Sequence, residues 1–319
     1  FNVSTPDLPQ TPTEQLDVHA EQPRNPEDYC WGIGQVLLEE GFRFPVGGDV
    51  TFRSNIPFRA GCSSSSAMSA AWMRLLLEIG EHPRRDEYIN DPVRAAYLVY
   101  KGEKVKFNGA GGMMDQYSCY LGGLLHVYPD GDSYGVERLE RELPGLILVD
   151  SGTPKDTQGV LKSAGDRARE AVARADAKVP GFDLRETSLE AFDANAAKLD
   201  ESSRRIVRDH LINRDICREG LAMLRSGAEP DAKRMGELLN EEHRVLSRTL
   251  GVSTDRIDEI QEMCNAAGAL GGKINGSGGG GTLFCYAPDK MAAVQKTLRE
   301  RNILHYVIGA SPGARIVPE

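Results

Sequence analysis

Two acidic residues and two loops of small residues could do chemistry in this chain. Glu103 and Asp115 stand 12 positions apart (115 − 103 = 12). Asp115 lies in GMMDQY (112–117), an apolar, glycine-led setting where a solvated face would carry more charge. A carboxylate placed there can accept a proton from a hydroxyl or help to hold a hard cation. Both could equally be surface carboxylates, the ordinary state of acidic residues. Upstream, PFRAGCSSSSA (57–67) joins a strand-like run to a helix-like run. A helix entered through small residues leaves several N–H donors unpaired. Those donors and the helix dipole bind anions, above all phosphate, and a serine hydroxyl there can reach a magnesium ion. A plain serine N-cap in a flexible loop would read the same way. No Gly-Lys-[Ser/Thr] closes the loop, so it is not a Walker A loop. The third cluster is GALGGKINGSGGGG (268–281), in which eight of fourteen residues are glycine. Its backbone could close over a phosphate or a reacting group. The alternative is a flexible linker, although linkers seldom run straight into a buried-strand pattern such as TLFCYA (282–287).

The elements that must position these residues follow from periodicity. Residues 30–40 place Cys30, Ile33, Val36 and Leu37 on one helical face, and 49–56 alternate as a strand does. Met68, Ala71, Trp72, Leu75 and Ile79 recur at three and four, which predicts an amphipathic helix over 67–80 with Gly80 as its stop. A helix over about 92–101 starts with Asp91 as N-cap and Pro92 in the first turn. Strands are expected over 124–128, 146–150 and 282–287, and helices over 255–267 and 289–302. The region 156–250 is charged and helical, and the chain ends on the strand-like ILHYVIGA (303–310). Strands and helices mix without strict βαβ alternation, so the expected class is α+β. The length, 319 residues, suggests two domains, divided at 1–147 and 148–319.

Composition bounds the function. Hydrophobic residues make up 40% and charged residues 27%, as in an average folded protein, which excludes disordered and fibrous chains. No apolar run is long enough for a membrane span, and no nucleic-acid partner is expected from a net charge of −9. Six cysteines without a CxxC pair read as free thiols of a cytoplasmic protein. The histidines do not cluster, and neither a metal site nor a triad is expected of them. Glycine is in excess, 34 residues or about 11% against an average of about 7%.

Taken together, the three clusters resemble the motifs of the GHMP small-molecule kinases, within them those of the galactokinase-like sugar kinases. PFRAGCSSSSA is similar to the second family motif, P-x-x-x-G-L-[SG]-S-S-A, with Cys62 in the usual Leu place and Ser66 in the usual Ala place. GALGGKINGSGGGG is similar to the third. GMMDQ (112–116) resembles the galactokinase G-I-M-D-Q, with a glutamate 12 positions earlier as in that branch. LILVDSG, EEHRVL and GVSTDRIDEI resemble its C-terminal half. The likeness covers about residues 30–310.

The resemblance implies a two-domain α+β fold. Its N-terminal part would be like ribosomal protein S5 domain 2, and its C-terminal part ferredoxin-like. It also implies transfer of the γ-phosphoryl of ATP to a hydroxyl, with Mg²⁺. Carried over by position, Gly61, Cys62, Ser63, Ser64, Ser65 and Ser66 would wrap the ATP phosphates. Ser65 and Glu103 would hold Mg²⁺. Asp115, preceded by Gly112, would be the base beside the sugar hydroxyl. Gly276, Ser277, Gly278 and Gly279 would form the supporting loop of the second domain. Lys273 either faces phosphate or is a surface lysine. The first family motif, of the GRxNLxGEHxDxxxG type, has no counterpart, and the expectation is that some tens of residues carrying it precede Phe1. The stretch TPKDTQGVLKSAGDR (153–167) lacks the tyrosine that contacts the hexose in galactokinases, so a heptose or another sugar is open as substrate. The product expected is a sugar 1-phosphate. A catalytically silent sugar- and ATP-binding regulator and a kinase for another alcohol such as mevalonate are the alternatives.

Overall fold

A computed structural model describes residues 1–7, 13–57, 61–109, 111–130, 133–154 and 157–317. The chain forms two compact units. The first comprises Phe1–Phe58, Ser63–Glu142 and Ala310–Glu319, and the second Arg59–Cys62 with Leu143–Gly309.

In the first unit β1 (Asn2–Ser4) pairs antiparallel with β2 (Glu14–Gln15) and parallel with β3 (Asp49–Thr51). Helices α1 (Tyr29–Glu39), α2 (Ser64–Ile79), α3 (Arg85–Asn90), α4 (Pro92–Glu103) and α5 (Met114–Leu121) are followed by the antiparallel pair β4 (Leu124–Asp130) and β5 (Ser133–Leu139). The core joins Ile33, Leu37, Trp72, Leu76, Leu77, Leu98 and Val99, all buried. Asp91 caps α4 by accepting from Arg94 N at 2.9 Å, with Pro92 in its first turn, as its sequence predicts. Gly80 ends α2. Where α1 crosses α4, Gly32 meets Gly102. A Cβ on Gly32 would lie 2.3 Å from the Gly102 carbonyl oxygen, so only glycine allows this approach. The crossing fixes the height of Glu103, the next residue. The C-terminal segment returns to this unit, with Gly123 N donating to Ser311 O at 2.7 Å and Ala314 N to Tyr120 O at 3.0 Å.

In the second unit β6 (Leu146–Asp150), β7 (Gly271–Ile274), β8 (Thr282–Tyr286) and β9 (His305–Ile308) form one antiparallel sheet in the order β7-β8-β6-β9. Helices α6 (Thr157–Lys178), α7 (Leu189–Asn195), α8 (Glu201–Arg225), α9 (Ala232–Arg248) and α10 (Asp255–Ala266) lie between β6 and β7 in the chain, and α11 (Met291–Glu300) between β8 and β9. Counting α10 and α11 as the two crossover helices, this is the ferredoxin-like βαββαβ order. Ile147, Val149, Leu283 and Cys285 pack with Ile257, Ile260, Val294 and Leu298. Helices α6 to α8 build a separate core around Phe192, Val207 and Leu211.

Three readings from periodicity change. The strand expected over 49–56 closes after Thr51, because Ser54 N turns to the Asp7 carboxylate at 2.8 Å rather than to a ladder. The glycine cluster 108–123 contains a helix, α5, and the glycine run 268–281 begins with a strand, β7. Residues 58–60 of the second motif, 110 of the glycine cluster and 155–156 lie outside the described residues.

Candidate active site

The N-terminus of α2 is built as an anion site would be. Gly61 has φ +80°, Ser63 stands at φ 54° and ψ 36°, and no side chain caps the helix. The amides of Ser64, Ser65 and Ser66 in its first turn have no helical acceptor and carry the positive end of the dipole. A serine held in the left-handed region costs about 1 kcal/mol or more, and such strain collects at ligand-binding turns.

Behind this turn sits Glu103, with a side chain that is 0% exposed. A carboxylate buried at the C-terminal end of α4 opposes the helix dipole and has lost its water, so it needs donors. Ser65 Oγ and Ser66 Oγ both donate to Glu103 Oε1 at 3.0 Å, and Gln116 Nε2 donates to Oε2 at 2.8 Å. Lys104 Nζ lies 3.4 Å from Oε1. A serine that donates its proton keeps lone pairs for a cation. Hydroxyl and carboxylate oxygens suit a hard cation, and Mg²⁺ is commonly held by one or two carboxylates together with substrate phosphates. The described residues contain no group of three or more His, Cys, Asp or Glu that could hold a metal by themselves. The Ser65 hydroxyl and the Glu103 carboxylate fit Mg²⁺ as two of its oxygen ligands.

Asp115 is half-buried in the first turn of α5 and makes no hydrogen bond among the described residues. Cys119 lies one helical turn further on. Burial, then the charges of Asp115 and Glu103, push its thiol up to about 12. Gln116, the residue after Asp115, donates to Glu103, so α5 brings the two acidic residues picked from the sequence into the same neighbourhood. Cys119 Sγ also reaches Ser63 O at 3.9 Å.

In the second unit the glycine run after β7 is pinned rather than slack. Gly279 N donates to Val252 O at 2.7 Å, Gly281 N to Thr153 O at 2.9 Å, and Ser151 Oγ to Gly281 O at 2.6 Å. Gly278 has φ +80°, and a Cβ there would meet Val252 O at 2.2 Å. Asn275 Nδ2 donates to Gly61 O at 3.0 Å, which holds the start of the serine loop. Ser277 Oγ is buried without a partner among the described residues, and Gly276 is exposed. Lys273 is committed elsewhere: it pairs with Glu242 at 3.1 Å and lies over the Phe284 ring. Sequence reasoning missed Lys104, Gln116 and Asn275, each directly beside a residue or loop it had singled out.

Comparison with known proteins defines the class. The GHMP kinases N terminal domain matches residues 28–123, and the GHMP kinases C terminal domain matches residues 222–303. The chain belongs to the GHMP kinases, a phosphotransferase family. Within that family it is galactokinase-like. It is 27% identical to a galactokinase of Mannheimia succiniciproducens over 94% of this chain and 77% of that one. It is 25% identical to a galactokinase of Haemophilus influenzae (strain PittEE) over 99% and 84%. A mevalonate kinase of Pyrococcus furiosus is 27% identical over 83% and 67%. Among solved structures, Lactococcus lactis galactokinase complexed with galactose shares the fold with a TM-score of 0.77 at 21% identity, over 98% of this chain and 82% of that one. No helix among the described residues is long and apolar enough to cross a membrane.

Proposed function

We propose that the protein is an ATP-dependent sugar kinase that phosphorylates the anomeric (C1) hydroxyl of a hexose or heptose. The observation that carries this reading is the Ser65–Glu103–Gln116 cluster, built around a buried carboxylate at the capless N-terminus of α2, with Asp115 next to Gln116 in α5. The amides of Gly61 to Ser66 bind the nucleotide phosphates. Ser65 and Glu103 hold Mg²⁺, which when bound supplies charge that offsets the negative charge of the transferring phosphoryl group. Gln116, Ser66 and Lys104 hold the Glu103 carboxylate in its orientation. Asp115 accepts the proton of the sugar hydroxyl, the chemistry a carboxylate with unfilled lone pairs provides. In the second unit, Gly276, Ser277 and Gly278 present main-chain amides to a ligand oxygen, and Gly279, whose own amide is held by Val252 O, fixes the turn that carries them. Galactokinase relatives support a sugar as acceptor, and the mevalonate kinase relative makes another alcohol the reading to exclude.

An ADP-release screen with MgATP over hexoses, heptoses and mevalonate tests this, with phosphorus NMR to fix the linkage of the product. A sugar 1-phosphate is the expected product. Turnover of mevalonate alone, or ATP binding without turnover of any acceptor, would refute the sugar kinase reading.

A further inference from the structure

Among the described residues strand β7 is a sheet edge that pairs only with β8, so its outer N–H and C=O groups need partners that are not strands. Side chains of α9 and α10 supply them. Asn240 Oδ1 accepts from Gly272 N at 3.2 Å, and its Nδ2 donates to Leu270 O at 3.1 Å. Gln261 Nε2 donates to Gly272 O at 2.6 Å. At the far end, His243 Nδ1 accepts from Ile274 N at 3.2 Å. A ring nitrogen that accepts carries no proton, so the proton of the neutral imidazole sits on Nε2. Nε2 then donates to Asp258 Oδ1 at 3.0 Å. Asp258 is held in turn by the hydroxyls of Ser247 and Ser253, each at 2.6 Å. His243 is 3% exposed.

The place where this ring grips the strand matters. Ile274 is followed by Asn275, whose amide holds both Gly61 O and, at 3.3 Å, Thr282 Oγ1, and then by the glycine turn 276–281. A slip of the strand end would move all of these together.

We propose that His243 is a positioning residue: its neutral, Nε2-protonated ring fixes the end of β7, and through Asn275 sets the Gly61 end of the serine loop and the start of the glycine turn. This rests on the reading of those two segments as nucleotide-binding main chain.

The clamp is sensitive to pH. A proton on Nδ1 abolishes the acceptor for Ile274 N. The charged groups acting on the ring are Asp258 on α10, Lys273 on β7 and Glu242 on α9 itself. Lys273 and Glu242 pair with each other, and Cys217 of α8 faces that pair. Burial of the ring outweighs the attraction of Asp258 and holds the imidazole below its ordinary value. The clamp is therefore closed at neutral pH and opens in acid.

Amide hydrogen exchange on the full chain tests this, read by mass spectrometry on segment 271–281, with α11 as internal control and with MgATP affinity measured alongside. In His243→Ala the segment should exchange roughly tenfold faster at neutral pH, the effect of one lost buried hydrogen bond, and MgATP should bind more weakly. His243→Asn keeps an acceptor that does not titrate. It should restore protection at neutral pH and retain it in acid, where the wild type loses protection as its buried imidazole takes up a proton. Unchanged exchange in His243→Ala would overturn the proposal. So would identical acid profiles for wild type and His243→Asn, or unchanged MgATP affinity despite altered exchange. If His243→Ala does not fold, the acid profiles of wild type and His243→Asn decide the matter. A wild type that binds no MgATP sinks the kinase reading, while the exchange data still decide whether the clamp exists.

Discussion

Replacing Glu103 by alanine or by glutamine separates its two jobs, as acceptor of buried donors and as cation ligand. Alanine strands Ser66 Oγ and leaves Gln116 Nε2 only its longer bond to Ser66 Oγ at 3.3 Å, in residues that are 1% and 0% exposed and cannot turn to water. A fully stranded donor costs about 1–3 kcal/mol, and a half-satisfied one less. The sum, about 3 kcal/mol, is lessened by release of a buried charge, which leaves a net loss of about 2 kcal/mol. Ser65 is half-buried and can find water. Glutamine keeps one oxygen for the serines but points its amide at the Gln116 amide. Gln116 can turn over, since its Oε1 is buried without a partner among the described residues. The expected loss is therefore smaller, about 1 kcal/mol. Both tryptophans, Trp31 and Trp72, belong to the first unit, so urea unfolding followed by tryptophan fluorescence reads that unit alone. Both variants should also need at least tenfold more Mg²⁺ for half-maximal turnover, roughly the effect of a lost carboxylate ligand. Equal unfolding of the two variants would refute the donor argument. A wild-type Mg²⁺ requirement in Glu103→Gln would refute the cation assignment.

Asp115→Asn should lower turnover roughly 10²- to 10⁴-fold with little change in MgATP affinity, as loss of a general base does; near wild-type turnover would remove Asp115 from the mechanism. Gly278→Ala, at φ +80° and with its Cβ 2.2 Å from Val252 O, should destabilise the second unit by about 2–4 kcal/mol in urea unfolding followed by circular dichroism. An unchanged midpoint would mean that the glycine turn is not pinned. Asp28 caps α1 through Trp31 N and pairs with Arg24 at 2.7 Å. Burial raises its carboxyl, but hydrogen bonds from Arg24 prevail and hold it below the usual range. Its contribution is thus complete above the ordinary carboxylate pKa of about 4 and is lost as pH falls through the lowered folded value. Asp28→Asn should destabilise the first unit by about 1–3 kcal/mol at pH 7 and flatten the acid limb of its fluorescence-detected stability. An unaltered acid limb would assign that limb to other groups.

Local chemistry made much of the architecture legible. Asp91-Pro92 marked the start of α4, Gly80 the end of α2, and the short apolar run of LILVD strand β6, because caps and burial leave marks in consecutive residues. Strand β7 was hidden because GGKI opens on two glycines and has a single β-branched residue, Ile274. It is a strand because β8 pairs one edge and Asn240, Gln261 and His243 satisfy the other. Helix α5 was hidden by flanking glycines. At the site, Ser65, Glu103 and Asp115 stood out by type and motif spacing. Gln116 did not, since its role depends on α5 turning it towards a carboxylate 13 residues away. Lys104 and Asn275 escaped for the same reason: each acts through a neighbour brought close only by folding.

The threading of the first unit has a consequence for synthesis. Its chain leaves after Glu142 and is completed only by Ala310 onward, where Ser311 and Ala314 close on Gly123 and Tyr120. While a ribosome is still translating the segment before Ala310, the sheet and helices α6 to α11 of the second unit already have nearly all their sequence, whereas α5 lacks its last partners. The unit made second is therefore the one equipped to fold first. A chain interrupted near residue 309 would leave the first unit on an unclosed scaffold, exposed to proteases, while the second has all its sequence.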